Sequence, residues 1–126
     1  MSRDPHPGSS LTALDTPALL LDLDALNHNL NRMARFFADK RTSLRPHAKT
    51  PKCPEIARRQ LDAGAIGITC AKVGEAEAMV EGGIRDILIA NQIVGELKID
   101  RLTDLAQRAK MMVAVDDPAN VDSLSL

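Results

Sequence analysis

The chain has 126 residues, 44% of them hydrophobic and 26% charged, which is the composition of a globular domain with a core. Its 16 Lys and Arg residues nearly balance its 17 Asp and Glu residues, so it lacks the basic excess that nucleic-acid binding requires. No run approaches the ~18 apolar residues of a membrane span. Residues 1–10 lack the apolar segment of a secretory signal, so we expect a cytoplasmic protein with free thiols at Cys53 and Cys70.

Five apolar runs separated by helix-like stretches predict βα units around a parallel sheet. The predicted strands are residues 18–23, 43–48, 65–71, 86–90 and 111–115. We expect residues 1–14 to form a disordered tail and residues 15–126 to form the folded domain. Asp24 is the expected N-cap of the first helix. The apolar face of that helix is predicted to carry Leu26, Leu30, Met33 and Phe37.

The later helices follow the same spacing. Their predicted inward residues are Ile56, Ala57 and Leu61, then Val73, Ala76 and Val80, then Leu102, Leu105 and Ala109. Gly82-Gly83 should end the third helix, because glycine adopts the left-handed conformation without steric cost. The fourth helix is predicted over residues 96–109, and Asp117-Pro118 is a favourable start for a fifth.

Five βα units are compatible with two α/β architectures. One is the N-terminal part of a (β/α)8 barrel, which needs eight strands and typically ~250 residues to close. The other is an open doubly wound sheet of five strands. The periodicity alone does not distinguish them.

The most informative segment is residues 42–52, with the sequence T-S-L-R-P-H-A-K-T-P-K. Side chains alternate along a strand, so Arg45, His47 and Lys49 share one face and the apolar residues between them share the other. In a barrel the first set points inward at the end where catalytic groups gather. A lysine there can condense with an aldehyde once burial and neighbouring cations lower its pKa. On spacing alone, a surface lysine at the start of a loop is an equally good interpretation.

Other polar residues compete for a role at the same end of the sheet. Lys72 also follows a strand and is the alternative imine-forming amine. Asn91-Gln92 follows the fourth strand, where a loop role and a ligand-binding role are equally open. Cys70 is interpreted as a buried small thiol. No GxGxxG or GxxxxGK[ST] pattern is present in the sequence.

Three segments together resemble a known family: R-P-H-A-K-T-P-K-C-P-E-I-A (45–57), G-I-T-C-A-K-V-G-E-A-E (67–77) and I-A-N-Q-I-V-G (89–95). They are similar to the D-threonine aldolase and D-serine dehydratase group of alanine-racemase-like, fold-type III enzymes that use pyridoxal 5′-phosphate (PLP). The entry segment D-T-P-A-L-L-L-D-L-D-A-L (15–26) fits the same pattern.

The resemblance implies a (β/α)8 barrel followed by a β-rich domain, with Lys49 forming the internal aldimine with PLP. Arg45, His47 and Asn91 would line the cofactor's surroundings. PLP would act as the electron sink for a carbanion at Cα of a β-hydroxy-D-amino acid. Aldolases break the Cα–Cβ bond, whereas dehydratases remove the Cα proton and then the β-hydroxyl. The full-length enzyme could form a homodimer.

Members of this group are roughly three times as long, and their divalent-metal ligands and second domain lie beyond the segment represented here. We therefore expect an N-terminal fragment that is inactive unless completed. The alternatives are a non-catalytic PLP-binding protein and an amino-acid racemase of the same fold. A soluble α/β domain without a cofactor is the third alternative.

Overall fold

A computed structural model describes residues 6–125, which form a parallel sheet with helices packed on one of its faces. The helices are α1 Leu23–Phe37, α2 Pro54–Asp62, α3 Val73–Glu81, α4 Glu96–Ala106 and α5 Pro118–Leu124. The strands are β1 Ile68–Cys70, β2 Asp86–Ile89 and β3 Lys110–Val113. The last three predicted strands are thus confirmed, with shorter bounds.

The strand order distinguishes the two candidate architectures. The sheet runs β1-β2-β3 in chain order, and both pairings are parallel. A doubly wound sheet reverses its strand order at a switch point and carries helices on both faces. Here residues 43–48 pair with β1 through the parallel bridge from His47 to Thr69, so four successive segments lie in chain order without a reversal. The helices α2, α3 and α4 contribute to a single apolar cluster. The topology therefore agrees with the predicted partial barrel.

The core lies between the helices and the face of the sheet that carries Ile68, Cys70, Ile87 and Ile89, all of which are inaccessible to solvent. Side chains of α3 and α4 pack against this face as the 3.6-residue spacing predicts. The buried helix residues are Ala57, Val73, Ala76, Met79, Val80, Leu102 and Leu105. Ala109 is half-buried but follows the end of α4, because that helix ends three residues earlier than predicted.

The prediction of a strand at 18–23 is wrong. Among the described residues, none forms a strand hydrogen bond with this segment; residues 18–21 make no backbone hydrogen bond to any of them, and Leu19 is fully exposed. A strand needs a neighbour to satisfy its N–H and C=O groups, so an apolar run alone does not create one. Leu23 instead begins α1, and Asp22 caps it by accepting a hydrogen bond from the Ala25 N–H at 2.9 Å. The expected cap, Asp24, lies in the first turn.

The predicted strand at 43–48 is an extended segment at the edge of the sheet, with one parallel β-bridge, between His47 and Thr69. Its backbone pairs with β1 through the hydrogen bonds from Thr69 N to Pro46 O and from Ala48 N to Thr69 O, and with the residues before β1 through the bond from Ile66 N to Leu44 O. Pro46 has no N–H and leaves a gap in the ladder. The strand is therefore recognisable by its parallel pairing but is not continuous.

Helix ends largely follow the predicted signals. Gly83 lies just past α3 with φ of 93°, a conformation that favours glycine. Asp117 caps α5 through its carboxylate, which accepts a hydrogen bond from the Ala119 N–H at 2.8 Å. On α1, Met33 is 43% exposed, but it lines the same cavity as Leu26 and Leu30.

Residues 6–13 are exposed and include a single 3-10 turn at Leu11–Ala13, capped by Ser10. The first five residues of the predicted tail lie outside the described part of the chain. Among the described residues, no helix has the length and apolar character that crossing a membrane requires.

Candidate active site

The face of the sheet opposite the helices carries the residues singled out from the sequence. Strand register arranges them in rows across the sheet, because the bridge His47–Thr69 fixes the position of the edge segment relative to β1. The row at the amino ends of the strands is Arg45, Gly67, Asp86 and Lys110, and the next row is His47, Thr69, Leu88 and Met112. Lys49 follows at the carboxyl end. The predicted alternation of Arg45 and His47 on this face therefore agrees with the register.

Lys49 lies in a tight turn immediately after the edge segment. The turn is closed by a hydrogen bond from the Lys52 N–H to the Ala48 carbonyl at 2.8 Å, and Lys52 has φ of 46°. Lys49 is exposed, whereas Ala48 is buried against the core. The fold thus anchors one side of the turn and leaves the lysine amine accessible.

His47 supports the backbone of this turn directly. Its Nδ1 accepts a hydrogen bond from the Lys49 N–H at 3.1 Å. Only an unprotonated ring nitrogen can accept, so the neutral ring in this arrangement carries its hydrogen on Nε2. His47 therefore contacts the lysine's main chain, and its Nε2 bonds none of the described residues.

Polar side chains tie the carboxyl ends of adjacent strands together. Asn91 donates from Nδ2 to the Ala71 carbonyl at 3.4 Å, and its Oδ1 accepts from the Gln92 N–H at 3.1 Å. Gln92 in turn donates from Nε2 to Asp116 at 3.0 Å. All three side chains are exposed. They form a polar rim at the edge of the sheet where Lys49 is also found.

The competing lysine, Lys72, occupies a different position. It is the N-cap residue of α3 and is exposed, and it directly follows Ala71, which lies on the open face of the sheet. Glu75, in the first turn of α3, accepts a hydrogen bond from the Ala71 N–H at 2.7 Å and lies 3.8 Å from Lys52 Nζ. Glu75 thereby connects the Lys49 turn to the end of β1. Alternation directs residue 72 toward the helix-covered side and residue 71 toward the open face.

Arg45 is bound at the opposite end of the strand. Its Nη1 donates to the Asp86 carboxylate at 2.7 Å and to the Asp86 carbonyl at 3.3 Å. Lys110 binds the other carboxylate oxygen at 3.1 Å. Burial raises the pKa of Asp86, but hydrogen bonds and charges from Arg45 and Lys110 outweigh it and hold that pKa below its usual value. Arg45, expected beside the cofactor, is thus brought together with Asp86, at the end of the sheet away from Lys49.

Cys70 is buried at the end of β1, as expected of a small core thiol. Burial, and then the nearby Glu75 carboxylate, raise the pKa of the thiol to about 11. Cys70 is therefore protonated and unreactive at neutral pH. Within residues 6–125 no three His, Cys, Asp or Glu side chains are grouped so that they could hold a metal ion.

Residues 21–125 match the family described as "Alanine racemase, N-terminal domain". The chain belongs to this family. The matched domain is the barrel part of enzymes of this fold, and aldolases of this fold are PLP enzymes. The family thereby accounts for a sheet with sequential parallel strands and helices on one face only.

A D-threonine aldolase from an Arthrobacter species is 48% identical over 95% of this chain and 32% of its own length. The crystal structure of D-threonine aldolase from Filomicrobium marinum superposes with a TM-score of 0.88 at 52% identity, over 91% of this chain and 31% of that one. D-threo-3-hydroxyaspartate dehydratase from Delftia sp. HT23 gives 0.78 at 34% identity, over 89% and 30%. The chain thus spans about a third of the length of the relatives it matches.

The sequence reasoning missed two carboxylates and a glycine. Asp86 is the first residue of the otherwise apolar run D-I-L-I-A. A charged residue at the start of a strand could have indicated a polar contact on the open face of the sheet. Glu75 at the start of α3 was readable as a helix-terminal carboxylate, but its contact with the Lys49 turn was not. The need for glycine at position 67 depends on the path of Arg45 from a different strand, which the sequence does not reveal.

Proposed function

We propose that this chain forms the lysine-bearing barrel segment of a PLP-dependent lyase acting on β-hydroxy-D-amino acids. The observation that carries the proposal is the position of Lys49, an accessible amine on a turn at the carboxyl ends of parallel strands. In barrel enzymes of this kind the active site is built at that end. The D-threonine aldolase and D-threo-3-hydroxyaspartate dehydratase relatives support a substrate with a hydroxyl group at Cβ.

The residues present fit a cofactor that carries an aldehyde. Lys49 supplies the amine for a Schiff-base linkage through Nζ, and its turn is held by His47 and by the Ala48–Lys52 hydrogen bond. The neutral imidazole of His47 offers its Nε2–H as a hydrogen-bond donor on the open face. Asn91 contributes an exposed amide on the neighbouring loop.

PLP, when bound, supplies an electron sink that stabilises negative charge at the substrate's Cα. The protein's part is to select which bond at Cα or Cβ aligns with that sink. In this chain, His47 fixes the backbone from which the Lys49 amine projects, and the rim of Asn91, Gln92 and Asp116 presents polar groups around it. An aldolase and a dehydratase share these elements, so both reaction types fall within the proposal.

Trapping the linkage with borohydride tests the proposal. The chain is incubated with PLP, the violet absorbance band of a protonated Schiff base is recorded, and borohydride reduction is followed by peptide mapping. We expect the label on Lys49 and loss of the band in Lys49→Ala. Lys72→Ala is the matched control, because it removes an exposed lysine from the same edge of the sheet and should leave the band intact.

Two outcomes contradict the proposal in different ways. A band that persists in Lys49→Ala and disappears in Lys72→Ala transfers the role to Lys72. Failure of a folded chain to bind PLP at either lysine removes the cofactor from the proposal altogether. Retro-aldol cleavage and ammonia release from D-threonine, measured on a chain extended to the length of the relatives, separate the aldolase from the dehydratase.

A further inference from the structure

We infer that Arg45 is a positioning residue that holds the Lys49-bearing strand in register by binding Asp86 across β1. The inference rests on the proposed role of Lys49, but its structural basis is independent of any cofactor. Arg45 lies four residues before Lys49, which is about 13 Å along an extended strand. Its guanidinium is committed to Asp86 at the amino ends of the strands.

The strand needs such an attachment because its own ladder is incomplete. Three backbone hydrogen bonds join residues 44–48 to the neighbouring strand, and Pro46 cannot donate a fourth. On the other side of this segment, no strand pairs with it among the described residues. An edge segment with few ladder bonds is prone to slip, and a one-residue slip would turn Lys49 toward the other face.

Arg45 supplies a bond that the backbone cannot. Its side chain passes over β1 and reaches β2, so it links the edge segment to the second strand away from it. The side chain is only 14% exposed, which limits screening of its ion pair by water. Nη1 is shared between the carboxylate and the carbonyl of the same residue, Asp86, which fixes both the direction and the reach of the guanidinium.

Gly67 makes this path available. A Cβ built at position 67 would lie 2.8 Å from Cζ of Arg45 and 2.7 Å from the carbonyl oxygen of Asp86, and it would overlap Nη1. Glycine therefore occupies the one position of the row over which the guanidinium must lie. The Arg45 side chain therefore crosses the neighbouring strand at Gly67, where no side chain blocks its path to Asp86.

Lys110 provides a matched control on the same carboxylate. It binds Asp86 at 3.1 Å, but its side chain is 66% exposed and it belongs to β3, the strand on the other side of β2. Arg45→Met and Lys110→Met each remove one cation from Asp86. Only the first releases the Lys49-bearing segment.

The test uses the full 126-residue chain and two readouts. Amide hydrogen exchange of Ala48 and Thr69 reports the pairing of the edge segment, and borohydride trapping of PLP at Lys49 reports the placement of the amine. Arg45→Met should accelerate exchange at these two amides about tenfold and weaken the apparent affinity for PLP about tenfold. The loss of a hydrogen bond to a charged group changes an equilibrium constant by about this factor. Lys110→Met should leave both within about twofold.

The inference is overturned if Arg45→Met leaves the exchange of Ala48 and Thr69 unchanged, or if Lys110→Met has an equal effect. Should Arg45→Met unfold the chain, Arg45→Lys decides: faster exchange confined to the edge segment supports positioning, and uniform acceleration through β1 and β2 contradicts it. Failure of the proposed function has a different signature. The wild-type chain would then trap no PLP at Lys49 while the exchange pattern of the variants still followed the expectation.

Discussion

Replacing Gly67 with alanine should destabilise the fold severely, although the change adds only one methyl group. The new Cβ would lie 2.7 Å from the Asp86 carbonyl oxygen, a backbone atom of the adjacent strand, and 2.8 Å from Arg45 Cζ. The arginine can move aside only by giving up its bonds to Asp86. Overpacking costs about 1–3 kcal/mol, and a lost hydrogen bond between charged groups about 1.5–3 kcal/mol.

The sum is roughly 2.5–6 kcal/mol, to be compared with a total free energy of unfolding of about 5–15 kcal/mol for a domain. For a chain of this length, about 4 °C of Tm is lost per kcal/mol, which predicts a decrease of about 10–24 °C. Thermal unfolding followed by far-ultraviolet circular dichroism measures it, and urea midpoints give the corresponding free energies.

Gly74→Ala is the matched control, since it adds the same methyl group elsewhere. Gly74 lies in α3, and a Cβ there would meet only ordinary contacts, the nearest at 3.6 Å from Arg101. Alanine is the better helix former, so stability should rise by about 0.5 kcal/mol. A Gly67→Ala protein as stable as the wild type would refute the reasoning, because Arg45 could not then lie over position 67.

Two further expectations concern titration and reactivity. Asp86 has a pKa below its usual value in the folded chain, so its contribution to stability is present above the unfolded-state pKa of about 3.9 and is lost as pH falls through the folded value. In urea unfolding between about pH 7 and about pH 3, Asp86→Asn should therefore lose less stability than the wild type; parallel curves would contradict the ion-pair assignment. Cys70, buried and with its pKa raised to about 11, should be alkylated only as fast as the chain unfolds, whereas half-buried Cys53 reacts in the folded state. Peptide mapping after iodoacetamide treatment checks this, and equal rates at the two cysteines would contradict it.

The last three strands and the helices that cover them were predictable, because the helix-covered face of the sheet is apolar throughout. Ile68, Ile87 and Ile89 are buried, and the helices that cover them repeat apolar residues at the helical period. Local capping chemistry located the start of α5 at Asp117 for the same reason. Hydrophobic burial and caps act over a few residues, so they are visible in the sequence.

The errors occur where structure depends on distant partners. Residues 18–22 have the apolar content of a strand but no neighbour to pair with among the described residues, and α1 consequently begins earlier than expected. At the next segment, Pro46 interrupts the ladder that its flanking residues would otherwise form.

The candidate site was predictable in kind and not in arrangement. Alternation grouped Arg45 with His47 and Lys49, and the family resemblance assigned all three to one cofactor. Alternation identifies the face of the sheet on which a residue lies. It does not show how far along the strands the side chain extends or which residue it contacts. The bond from Arg45 to Asp86 joins residues 41 positions apart, and only the register of β1 and β2 brings them together.

The two ends of this one strand therefore have different physical requirements. At the amino end, the partly buried ion pair of Arg45 with Asp86 and the lack of a side chain at position 67 fix the strand relative to its neighbours. At the carboxyl end, the turn is held by its own backbone and by the His47 imidazole, and the Lys49 side chain stays exposed. A substitution at Arg45 should consequently change where the amine lies, whereas one at Lys49 should remove the proposed link to PLP and leave the fold intact, because that exposed side chain has no packing role.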